Sequence, residues 1–80
     1  MDHELKTWPE HFEAIRKSQK TVEVRKNDRN FQVGDYLFLR EWCPESKEYT
    51  GRDTIRPVKH ILQGGQFGIE PGYVVISIGG

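Results

Sequence analysis

An 80-residue chain with 12 basic and 12 acidic residues has the length of one compact domain, here 1–80, and no net charge to draw it to polyanions. One cysteine, Cys43, excludes an internal disulfide and a cysteine zinc site, and His3, His11 and His60 lack metal-ligand spacing, so no metal or cofactor is expected. No apolar run approaches the roughly 18 residues of a bilayer span, and the opening MDHELKTWPEHF lacks a signal-like apolar stretch, which points to a reducing, cytoplasmic setting without membrane contact.

Thr7-Trp8-Pro9-Glu10 reads as a helix start, with Thr7 as N-cap, Glu10 three residues on and Pro9 in the first turn. Trp8, Phe12 and Ile15 then share a stripe, predicting a helix over about residues 8–18 with Arg16 and Lys17 in its last turn. From Lys20 the period changes to 2. The alternation predicts a strand in which Val22 and Val24 face the core while Glu23 and Arg25 share the opposite face. Turns are expected at Asn27–Asn30 and Val33–Asp35, then a strand over Tyr36–Trp42 and a polar hairpin loop from Pro44 to Gly51. Residues 53–62 read as a third strand in which Pro57 implies an edge or a bulge. A glycine-rich loop at Gly64–Gly68 precedes Tyr73–Ile78, apolar on both faces and so expected as a central strand.

Leu, Ile, Val and Phe total 20 residues, just above the roughly one-fifth of a chain below which disorder prevails, so the core is thin. One short helix and about five strands, with turns every 8–12 residues, predict an α+β, mostly β fold: a small, mostly antiparallel barrel, its edges protected by closure.

The neutral total hides an imbalance. Residues 1–15 hold one Lys against four acids, residues 16–29 hold six basic against two acidic groups, and the remainder holds five against six. The basic segment contains Lys20-Thr21-Val22-Glu23-Val24-Arg25, where helix turns to strand. A glutamate beside an arginine on one strand face orients the guanidinium fork, which suits a phosphate or a base edge; Lys20 adds a point charge or a nucleophile. The plain alternative is a surface ion pair worth under about 1 kcal/mol. Trp8 could stack on a base or staple the helix start to the sheet. Cys43 has no base in sequence reach, and the Gly64-Gly65 loop lacks the lysine of a phosphate-binding loop.

Lys20-x-x-Glu23-x-Arg25 after a short helix, followed by Val33-Gly34-Asp35, resembles the signature of the activating-signal-cointegrator homology (ASCH) domains of the PUA-like superfamily. His3-Glu4-Leu5-Lys6, Trp8-Pro9, Phe12, Lys26-Asn27-Asp28-Arg29 and Gly72-Tyr73-Val74-Val75 extend the likeness over about residues 3–78, to short bacterial and phage members of unassigned function. Where that pattern has glycine, two residues before the lysine, this chain has Ser18.

The resemblance implies a small PUA-like barrel with one N-terminal helix, binding RNA or a nucleotide in a cleft beside that helix. Lys20, Glu23 and Arg25 would line it, with Lys6, Trp8, His3 and Arg29 nearby. A few similar proteins are amidohydrolases acting on acetylated cytidine with a Thr-Lys-Glu set. On that alternative Lys20, Thr21 and Glu23 would be the catalytic candidates, although Glu23 occupies the threonine's place and Glu70 is the one acid after Asp53. A third alternative is a protein-interaction module with an incidental basic cleft. The domain is expected to be a monomer.

Overall fold

The computed structural model describes residues 1–79. Its elements run β1 (Asp2–Thr7), α1 (Pro9–Arg16), β2 (Val22–Lys26), β3 (Tyr36–Cys43), β4 (Glu48–Gln63) and β5 (Tyr73–Ile78). The strands form one five-stranded sheet in the order β1-β3-β4-β5-β2. β1 runs parallel to β3; the other neighbours are antiparallel. The result is a small, mostly β, α+β fold whose sheet is open. β1 and β2 are its two edges, and among the described residues no backbone ladder joins them into a closed barrel.

The core lies on the inward-facing row of the central strands. Leu37, Leu39, Val74 and Ile76 are fully buried, with Leu5, Val58 and Ile78 beside them and Phe31 sealing one end. Helix α1 covers this row with Phe12 and Ile15, two of the three stripe residues that the helical period singles out, while Trp8, the third, is half-exposed. β5 is central, between β4 and β2, as its apolar run predicts.

Four sequence expectations are corrected. First, Asp2–Thr7 is a strand, not a simple lead-in: His3, Leu5 and Thr7 point inward in strict alternation. Two of those three are polar, so the period-2 signal is not an apolar one. Second, Thr7 is the last residue of β1 and not a helix cap; Trp8 is the N-cap, with no side-chain capping bond, and the helix is shorter than 8–18. Third, β2 faces the other way. Val22 and Val24 are 38% and 58% exposed, while Glu23 is only 4% exposed. β2 pairs only with β5, so its inner face meets the gap toward β1 and not the core. The valines instead extend an outer-face row, Val24 opposite Val75 and Val75 opposite Leu62. Fourth, the hairpin turn is short (Pro44–Lys47) and β4 is long; of the two settings expected for Pro57, an edge or a bulge, it has the bulge, inside the sheet.

Pro57 sits where β4 changes partners. It lies opposite Tyr36 of β3, and the next residue, Val58, lies opposite Ile78 of β5, followed by a bulge. At this crossover its missing N–H breaks no ladder, while its carbonyl accepts from Gly79 N–H at 3.0 Å. Among the described residues no helix is long and apolar enough to cross a membrane, and no group of three His, Cys, Asp or Glu could hold a metal.

Candidate functional site

The two sheet edges, β1 and β2, border a cleft of about 370 Å³ beside the start of α1. Lys6 and Thr7 come from the end of β1, Trp8 and His11 from the helix start, and Lys20, Glu23, Val24 and Arg25 from the approach to β2 and the strand itself.

The helix ending places Lys20. Gln19 N–H donates to the Ala14 carbonyl at 2.8 Å and Ser18 N–H to that of Ile15 at 2.9 Å. These paired bonds close a helix around one left-handed residue. That residue is Ser18, with φ of 59°. The chain then reverses, and Lys20 N–H returns to the Ala14 carbonyl in the last turn of the same helix at 3.0 Å, from where its side chain reaches His11 of the first turn.

Around Glu23 the polar groups interlock. Arg25 Nε donates to Glu23 Oε2 at 3.0 Å, and Arg25 Nη2 donates across the gap to the Lys6 carbonyl at 2.9 Å. The Lys20 ammonium donates to His11 Nδ1 at 3.1 Å and stands 3.6 Å from Glu23 Oε1, too far for a hydrogen bond. The Lys6 ammonium lies 4.6 Å from the centroid of the Trp42 ring. Trp8 is half-exposed. Two cations, Arg25 and Lys20, therefore flank one buried carboxylate, while Lys6 and the Trp8 indole line the same cleft. Such a set can take an anionic group at its mouth, a planar ring against Trp8 and a hydrogen-bond donor at its floor.

Of the residues named from sequence, Lys6, Trp8, Lys20, Glu23 and Arg25 come together here. His3 does not. It is buried behind β1, 2.8 Å from Asp35 Oδ2 and edge-on to the Phe31 ring. Arg29 lies outside the lining and donates to the Glu4 carbonyl, a second bridge across the same gap. Thr21 is exposed before β2, and Glu70 sits in the β4–β5 connection. Thr7, His11 and Val24 line the cleft and were not named from sequence. His11 had a readable signal, three residues after Trp8 on one helical face. Thr7 had one only if its alternation with His3 and Leu5 is read as a strand.

The frame around the site is set by ion pairs. His3 hydrogen-bonds Asp35 and, with the Gln32 N–H and the terminal ammonium, holds its carboxyl down at about 2. On the helix, Arg16 chiefly, with Arg52, lowers Glu13 to about 2. Arg52 likewise lowers the buried Glu41, to which it donates twice at 2.9 Å.

A small α+β domain with a cation-lined cleft between its two sheet edges is the class these features define. The sequence profile of the family described as "Domain of unknown function (DUF3850)" matches residues 2–78, and the chain belongs to that family. It is also similar to the "Uncharacterized 12.9 kDa protein in GpA 3'region" of Escherichia phage P2, with 40% identity over 50 residues. That match covers 62% of this chain and 44% of the phage protein, so the chain spans less than half of that relative's length.

Proposed function

We propose that the cleft binds a nucleotide, free or within an RNA strand, in a cytoplasmic setting. The observation that carries this reading is the convergence of Lys6, Lys20 and Arg25 on one cleft with a buried carboxylate and the half-exposed Trp8. The lysines meet phosphate, Trp8 stacks on a base or sugar, and Glu23 orients the Arg25 fork. Kinship with the ASCH domains and their PUA-like barrels belongs to the same proposal. Two features support it: the Lys-x-x-Glu-x-Arg string lines a cleft beside the helix, and two arginines bridge the strands that a barrel would pair.

The test is binding of 5′-mononucleotides and short RNAs, followed through Trp8 fluorescence at several salt concentrations. Affinity for RNA is expected to fall by about 0.7 log unit per decade of salt for each contacted phosphate. Lys20→Ala should weaken binding without unfolding the domain. Salt-independent binding, or none, contradicts the reading.

One observation favours the hydrolase alternative. The Lys20 ammonium contacts His11 Nδ1, a group able to take up a proton. On that reading acetylated cytidine is consumed by the wild type and not by Lys20→Ala, and an intact substrate after prolonged incubation contradicts it.

A further inference from the structure

Two side-chain oxygens at the cleft, Thr7 Oγ1 and Glu23 Oε1, are the buried ones that, among the described residues, have no hydrogen-bond partner. Their residues are 2% and 4% exposed. Folded proteins satisfy the great majority of such groups, so an unpaired pair in one cleft calls for a cause. The neighbours do not supply one. Arg25 occupies Oε2 of Glu23, and the Lys20 ammonium is 3.6 Å from Oε1. One carboxylate oxygen, with only the Lys20 ion pair at 3.6 Å beside it, and one hydroxyl therefore keep unused hydrogen-bonding capacity at the buried side of the cleft.

We propose that Thr7 and Glu23 read the base of the bound nucleotide, and that this base carries an exocyclic amino group. The inference rests on the nucleotide reading above and adds orientation and selectivity to it. A carboxylate oxygen only accepts, so the group that reaches it is a donor and not a phosphate, which it would repel. The base points inward and the phosphate lies outward, at the mouth of the cleft. The amino group of adenine, cytosine or guanine directs an N–H at Glu23 Oε1. The adjoining ring position, acceptor or donor, meets the Thr7 hydroxyl, which can do either. Uracil has no amino group. Its Watson–Crick N–H lies between two carbonyl oxygens, and these would face the carboxylate.

The experiment compares AMP, CMP, GMP, UMP and inorganic phosphate, titrated by NMR into the wild type, Thr7→Val and Glu23→Gln. Thr7→Val keeps the shape and removes a hydroxyl that has no partner in the free protein, so its Tm should not fall. The wild type is expected to bind UMP at least tenfold more weakly than the best of the other three, whose rank names the base. Thr7→Val is expected to lower affinity for that nucleotide about tenfold and leave UMP unchanged. Glu23→Gln, which adds a donor, is expected to narrow the gap to UMP. Inorganic phosphate alone should leave the Thr7 and Glu23 resonances in place. Equal binding of all four nucleotides, or a Thr7→Val variant that binds as the wild type does, overturns the base-reading role and leaves nucleotide binding standing. Binding of none of the four overturns both.

Discussion

Ser18 holds a left-handed backbone conformation, φ 59°, that disfavours an L-residue by about 1–2 kcal/mol. Glycine would adopt it without that strain and keep both helix-ending bonds. Ser18→Gly is therefore expected to stabilise the domain by about 1 kcal/mol, a rise in Tm of roughly 4–8 °C at this size. A Tm that falls would show that the serine side chain, and not the backbone, sets the turn that presents Lys20. Gly64 is the opposite case. A Cβ there would collide with the backbone carbonyl oxygens of Glu70, in the β4–β5 connection, and of Tyr73, at the start of β5. Gly64→Ala should lower Tm by several degrees in a thermal melt; an unchanged Tm would mean that the turn opens freely. Ser18 lies where a helix commonly ends on a left-handed residue, and it takes that conformation. Glu23 was legible as chemistry but not in direction. Its alternation with Val22 and Val24 fixes which residues share a face and leaves open which face is inner.

At the scale of elements, α1 is fastened to the sheet by charge as well as by Phe12 and Ile15. Arg52 of β4 donates to Glu13 of the helix at 3.1 Å and to Glu41 of β3, and its guanidinium lies 5.0 Å from the Phe12 ring centroid. Glu13 and Asp35 sit at about 2 when folded and Glu41 is lowered, whereas free carboxyls titrate near about 4. Between those values the unfolded chain binds more protons, so acid favours unfolding. The stabilisation from these carboxylates is fully present above about pH 5 and is lost as the pH falls toward about 2. Tm measured from pH 7 to 2 should drop mainly in that window, and Arg52→Met should lower Tm at pH 7 and flatten the acid limb. A wild-type Tm constant between pH 5 and 2 would contradict this fastening. The helix, β3 and β5 could be read from sequence because their periods are carried by apolar residues. β1 could not, since two of its three inward positions are His3 and Thr7, whose reasons for burial are a distant aspartate and a cleft.

Across the whole molecule the open seam between β1 and β2 is the organising feature. Arg25 and Arg29 reach from the β2 side to the carbonyls of Lys6 and Glu4, which occupies the free edge of β1 and protects it from strand pairing. Arg29→Met removes one bridge without touching the cleft lining. It is expected to cost about 1 kcal/mol and to speed hydrogen exchange of the β1 amides, while β3 and β5 stay protected. Unchanged β1 exchange would show that the seam holds without it. An open sheet was not legible in the strand pattern, because strand count and spacing are the same for a closed barrel and an open sheet of this size. The site was legible in part: the Lys-x-x-Glu-x-Arg string names three of the eight lining residues, Lys6 and Trp8 were also named in advance, and Thr7, His11 and Val24 were not. The measurement that most directly tests the central claim is an NMR titration of the wild-type protein with mononucleotides at low salt, with every backbone amide followed. Shifts confined to the amides around Lys6–Trp8, His11 and Lys20–Arg25, and lost in Lys20→Ala, are the predicted result. No shift at millimolar nucleotide, or shifts centred elsewhere on the surface, would contradict nucleotide binding at this cleft.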